Sequence, residues 1–158
     1  MVFEKLRFLL DANNVSYKLM EHEAGYTSEQ AAQVRGTRLQ QGAKALVFEA
    51  DKRPLLLVVA ADRRIDSRAF KRVFGVKDLR LASAERMTEL TGLTIGAVPP
   101  FGSLMGLPTY VDEPVLENEE IVFNAGSLTR CILMKAVDYL RLEQPIQGNF
   151  SSSTDSLP

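Results

Sequence analysis

The sequence predicts a single α+β domain in which a mixed, largely antiparallel β-sheet is surrounded by helices. Three observations carry that prediction. The chain has 158 residues, 46% apolar and 25% charged, the size and composition of one ordinary globular domain. Segments with helical spacing and segments with strand-like alternation follow one another irregularly, without the regular strand–helix alternation of a parallel α/β fold. No internal repeat and no composition shift marks a linker.

Val2, Leu6, Leu9 and Leu10 share one helical face, and the run ends at Asn13-Asn14, so the first element is an amphipathic helix. Val15, Tyr17 and Leu19 then alternate as in a strand. Thr27 and Gln30 have capping-box spacing ahead of a short helix EQAAQVR, with Gly36 just past its end. Residues 43–50 and 55–61 are aliphatic and separated by the polar turn Asp51-Lys52-Arg53-Pro54, which predicts a hairpin at the centre of the sheet. Helices are expected over 68–74 and 84–90, the second capped by Ser83, ending near Gly75 and Gly92. Residues 93–110 mix Pro and Gly with apolar residues and predict a tightly shaped, partly buried loop. Strands over 109–111, 120–124 and 131–135 and a helix over 137–142 complete the domain, taken as 1–146. Residues 147–158, QGNFSSSTDSLP, are Ser-rich and poor in aliphatics and are expected to form a flexible tail.

The net charge of −1 hides an asymmetry. Residues 35–86 hold thirteen Lys and Arg against six Asp and Glu, while the rest of the chain is acidic. Such a stretch suits a face that meets phosphates, and equally suits helix surfaces solvated by cations. A protein that held nucleic acid tightly unaided would be basic overall, so any tRNA partner is expected to be held transiently or with help. The longest apolar run, 54–61, falls far short of the roughly 18–20 residues that span a bilayer. No small-residue cleavage site follows an apolar core near the N-terminus, so a cytoplasmic protein without a membrane partner is expected. One Cys and one His leave no material for a Cys/His metal cluster, and neither a metal nor a cofactor is expected.

Several features invite chemistry. GTRLQQGAK has the glycines and lysine of a phosphate loop but the wrong spacing. His22, between Glu21 and Glu23, has no second His or nucleophile nearby and ranks behind other candidates. Cys131 lies in the apolar run CILM, where a thiol is an inert core residue. Lys44 interrupts an apolar central strand; it either snorkels off the sheet or supplies a cation to a site. The Gly-bearing turns Gly96-Ala97-Val98-Pro99-Pro100-Phe101-Gly102 and Asn124-Ala125-Gly126-Ser127 would let a ligand approach the backbone closely. A cation beside exposed backbone amides makes an anion or oxyanion site.

Those same segments carry a resemblance. GAKALVF around Lys44, LLLVVAA, GAVPPFG with its GxxxP spacing, YVDEPVL and FNAGSLTRCILMKAVDYL resemble, in that order, the YbaK/prolyl-tRNA synthetase-associated family, an editing domain found free-standing or inserted in prolyl-tRNA synthetases. They span about residues 22–142, and RGTRLQQGAKALV is most similar to the free-standing YeaK-like branch. The resemblance implies a trans-editing deacylase that hydrolyses the ester of a mischarged tRNA, foremost tRNA(Pro) carrying a small non-cognate amino acid. It casts Lys44 as the catalytic electrostatic anchor, and Gly96, Val98, Pro100, Phe101, Gly102, Asn124, Gly126 and Ser127 as substrate-binding, with Val98, Phe101 and Phe48 as pocket walls. The acidic overall charge suggests borrowed affinity, with prolyl-tRNA synthetase or an elongation factor expected to present the charged tRNA. The alanine-clearing branch carries a His toward its C-terminal part, and this chain has none there. A non-catalytic ligand-binding or synthetase-associated member of the same fold is the alternative. A general nucleic-acid module rests on the basic stretch alone and lacks interleaved surface aromatics.

Overall fold

The computed structural model describes residues 1–25 and 27–154. Helix α1 (Val2–Ala12) buries Leu6 and Leu10 and is followed by β1 (Tyr17–Glu21) and α2 (Ser28–Arg35). The predicted capping box closes α2: Thr27 Oγ1 accepts from the Gln30 amide at 3.1 Å, and Gln30 Oε1 accepts from the Thr27 amide at 2.8 Å. Gly36, in the left-handed region, ends the helix. The hairpin is β2 (Ala43–Ala50) and β3 (Arg53–Ala60). Its turn is tighter than the four polar residues suggested, because Asp51 and Lys52 both take positive φ and leave Arg53 and Pro54 in the strand.

The remaining elements are β4 (Arg63–Ile65), α3 (Ser67–Phe74), β5 (Leu79–Leu81), α4 (Ala84–Thr91), β6 (Thr109–Asp112), α5 (Glu113–Leu116), β7 (Glu120–Asn124), β8 (Arg130–Lys135), α6 (Ala136–Glu143), β9 (Ile146–Gly148) and β10 (Ser151–Ser153). The strands form three sheets, not one. The largest has the order β5-β2-β3-β6-β9, antiparallel through β5, β2 and β3 and parallel through β3, β6 and β9. An antiparallel sheet β1-β8-β7 packs beside it, and β10 pairs with β4. The hairpin is central, as the aliphatic runs require: Leu56, Leu57, Val58 and Val59 are fully buried.

Period-two alternation splits the core. Ala43, Ala45 and Val47 face a main cluster built with α1, α4, α6 and the second sheet, while Phe48 and Ala50 face a smaller one built with Phe70 and Phe150. A parallel bridge between Gly42 and Val122 joins the two sheets at the start of β2. Gly42 is needed there, since a Cβ would lie 2.9 Å from the Ala61 methyl.

The flexible-tail expectation is corrected through residue 154. Gly148 pairs with Asp112, Ser151–Ser153 pairs with β4, and Phe150 is fully buried against Phe70. Asp112, itself fully buried, accepts hydrogen bonds from the Phe150 amide and the Ser151 hydroxyl. A single aromatic anchor and a buried carboxylate thus order a segment whose average composition is that of a linker. The domain therefore extends beyond 146; the last four residues of the predicted tail lie outside the described residues.

Candidate active site

Lys44 stands where β2 loses its neighbour. Strand β5 pairs with Phe48–Ala50 alone, and the Ala82 amide adds one further bond to the Val47 carbonyl at 3.0 Å. Before that point the β2 edge faces a cleft of about 310 Å³. The cleft is closed by α2 on one side and by Gly96, Val98, Asn124 and Leu128 on the other. Because the Val47 carbonyl points to this edge, alternation directs the Ala45 N–H and C=O to it as well.

The electrostatics are one-sided. Arg35, Arg38, Lys44 and His22 line the cleft, and no carboxylate among the described residues does. Burial pushes the half-buried Lys44 ammonium below its ordinary value, and the charge of Asp62, in the turn after β3, pulls it back. A partly desolvated cation with no acid in its cleft favours an anionic ligand or a carbonyl that gains negative charge.

A hydrogen-bonded relay crosses the cleft wall. Arg35 Nη2 donates to Asn124 Oδ1 at 3.0 Å and to His22 Nε2 at 3.2 Å. Asn124 Nδ2 in turn donates to the Gly96 carbonyl at 2.7 Å. Since a guanidinium only donates, His22 Nε2 is unprotonated, and its Nδ1 donates to the Glu23 carbonyl at 2.9 Å. Nε2 is thus occupied by Arg35 and is not presented to a water as a base.

The structure brings Lys44, His22, Gly96, Val98 and Asn124 together at the cleft. It does not place Pro100, Phe101, Gly102, Gly126 or Ser127 on the lining. Phe101 is fully buried, packed on Phe123 and Tyr139 with ring centroids 5.7 and 5.1 Å apart, because the apolar residues of this loop serve the core. The Pro100 carbonyl accepts from the buried Tyr139 hydroxyl at 2.8 Å. Gly102 is held by a close approach to Leu107 and Thr109, and Gly126, at φ 80°, passes the backbone of Phe3. The Gly126 amide donates to the Ala97 carbonyl at 2.8 Å, supporting the loop from behind. Ser127 Oγ bonds within its own turn to Thr129. Phe48 belongs to the second core cluster. Cys131 is fully buried, and burial raises its thiol against the opposing influence of Arg35, so no thiolate nucleophile is available.

Arg35, Arg38 and the edge of Ala45 were not legible as site residues, although α2 carried a signal. Ala31 and Arg35 are four apart, so the helical face that buries Ala31 also turns Arg35 inward.

The aminoacyl-tRNA editing domain matches residues 22–142. The chain is 36% identical over 152 residues to the multifunctional Ser/Thr-tRNA deacylase ProXp-y of Escherichia coli (strain K12), covering 93% of this chain and 91% of that one. It is 35% identical over 97 residues to the prolyl-tRNA editing protein ProX of Acetoanaerobium sticklandii, covering 60% and 59%. A crystal structure attributed to a trans-editing enzyme for prolyl tRNA synthetase superposes with a TM-score of 0.84 at 28% identity, covering 96% of this chain and 98% of that one. A match from His22 to Leu142 and a relative covered over nine-tenths of both chains show that the chain belongs to the aminoacyl-tRNA editing domain family.

Proposed function

We propose that the cleft of this trans-editing deacylase takes the 3′ end of a tRNA mischarged with a small hydroxy amino acid, serine or threonine, and hydrolyses the ester. The observation that carries the reading is the half-buried Lys44 cation in a cleft whose described lining holds no carboxylate. The name of the ProXp-y relative supports the choice of amino acids. So does Ser28, which lines the cleft and carries a hydroxyl that can pair with a substrate hydroxyl, rejecting analogues that lack it.

The chemistry needs a water on the ester carbon and donors for the oxygen that becomes negative. Lys44 and the Ala45 N–H supply those donors, while Leu46 and Val98 bound the space for the amino-acid side chain. Attack forms a bond from water to the carbonyl carbon; collapse breaks the bond to the ribose oxygen, which leaves with a proton. The amino acid departs as a carboxylate and a second proton passes to solvent. His22 is engaged by Arg35, so the substrate's own amino group or neighbouring ribose hydroxyl is assigned the proton transfer. Arg38 adds positive charge for the terminal phosphate.

A second reading concerns the tRNA rather than the chemistry. Relatives named for prolyl-tRNA editing favour tRNA(Pro) as the body that carries the wrong amino acid, presented transiently by the synthetase or an elongation factor in the cytoplasm. Hydrolysis rates for Ser, Thr, Ala and Pro on tRNA(Pro), and for Ser and Thr on their own tRNAs, test both. Rapid loss of Ser and Thr with Pro spared supports the reading. Ligand-induced stabilisation with no turnover would support the non-catalytic alternative.

A further inference from the structure

We propose that Arg35 is a positioning residue of this editing site: it fixes which way the Asn124 amide faces and thereby holds the Gly96 carbonyl, and the loop 96–100, against the cleft. The proposal rests on the deacylase reading for its kinetic consequence but not for its structural one. The oxygen and nitrogen ends of an Asn side chain have nearly the same shape, so its partners decide its orientation. Arg35 has donors only, and with Nη2 at 3.0 Å the end of Asn124 that meets it must be Oδ1. Nδ2 is then forced toward the Gly96 carbonyl, at 2.7 Å. The next carbonyl, Ala97, is held by the Gly126 amide at 2.8 Å. Two consecutive carbonyls are thus fixed, one through the main chain and one through the Arg35–Asn124 relay, and Val98 follows at the cleft wall.

The charge itself argues for a function. Arg35 Nε is buried with no nitrogen or oxygen partner among the described residues, and the Cys131 thiol lies beside the guanidinium, a desolvation cost that a simple helix-to-strand tie would avoid with a neutral side chain. The contact also joins residues 89 positions apart, α2 to the end of β7, both of which line the cleft.

The test compares Arg35→Met, Arg35→Lys, Asn124→Asp and the Arg35→Met/Asn124→Asp double variant. An Asp at 124 still accepts from Arg35 but offers the Gly96 carbonyl a second acceptor, so it breaks one half of the relay and keeps the other. Deacylation kinetics are measured on whichever mischarged tRNA the parent protein clears. The expected result is a fall in kcat of about tenfold in Arg35→Met and in Asn124→Asp with KM little changed, a smaller fall in Arg35→Lys, and a double variant no worse than the worse single one. A raised KM at unchanged kcat, additive with Asn124→Asp, would overturn the proposal and make Arg35 a substrate anchor. A readout independent of turnover is the ¹⁵N-resolved side-chain amide of Asn124. Arg35→Met should speed its proton exchange and shift the Ala97 amide signal; unmoved signals overturn the proposal. Should the parent clear none of the panel, the deacylase reading fails while the amide signals still decide the positioning. Should Arg35→Met not fold, Arg35→Lys carries both readouts, and Asn124→Asp carries the kinetics and the Ala97 amide signal.

Discussion

Lys44 faces Val59 across the β2–β3 ladder, but on its other edge β2 is paired only from Phe48 onward. That unequal pairing leaves a lysine in an aliphatic strand lining the cleft. Its ammonium is half-buried, and burial lowers its pKa from the ordinary value. A lysine with a folded-state pKa below its unfolded one carries a penalty while it is charged in both states. The penalty is therefore present at neutral pH and is relieved as pH rises through the folded and then the unfolded value. Lys44→Met should raise the melting temperature at pH 7, and the gain should shrink at alkaline pH. Thermal denaturation from pH 7 to pH 10.5 checks the sign; a variant less stable than the parent at pH 7 would mean that Lys44 has a stabilising partner.

Gly102→Ala tests the support behind the cleft loop. A Cβ there would overlap Thr109 Oγ1 and lie 2.5 Å from the Leu107 carbonyl oxygen, and the second of these is backbone that cannot swing aside. The substitution should destabilise the fold by about 1–3 kcal/mol or more. Urea denaturation measures the loss. Activity per folded molecule should fall less than stability, because Gly102 does not line the cleft.

Phe150 tests the C-terminal segment. Its ring is fully buried, with centroids 5.3 Å from Phe70 and 6.3 Å from Phe74. Phe150→Ala should cost about 3–5 kcal/mol, the range for large aromatic truncations in a core. A change below about 1 kcal/mol, the scale of an ordinary surface substitution, would show that the segment is dispensable.

Much of the fold was legible because it follows from periodicity and caps. The Thr27 box, the Ser83 cap, accepting from Arg86 at 3.1 Å, and the buried hairpin all stand where local sequence puts them. What was not legible depends on long-range pairing. Leu79–Leu81 and Ile146–Gly148 are too short to signal a strand alone and exist because β2 and β6 offer them an edge. The polar run around Ser151 is ordered by Asp112, 39 residues earlier. The site divides in the same way. Lys44 was legible as a charge where an apolar residue is expected, and Gly96 as a turn glycine. Arg35 was not, because its partner Asn124 is brought to it only by the second sheet. The glycines at 102 and 126 were legible as close approaches, but the approach in each case is to the protein's own backbone.

The account stands on Lys44 as the cation that stabilises charge on the ester carbonyl. The most direct measurement is the rate at which the purified protein and its Lys44→Ala variant deacylate Ser- and Thr-charged tRNA, with Pro-tRNA(Pro) as the control. The account predicts hydrolysis of the Ser or Thr ester with Pro spared, and a loss of about 10²–10³ in kcat in the variant, the scale for removing one oxyanion donor, at an unchanged circular-dichroism spectrum. A folded Lys44→Ala protein that clears the same esters at the parental rate would contradict it.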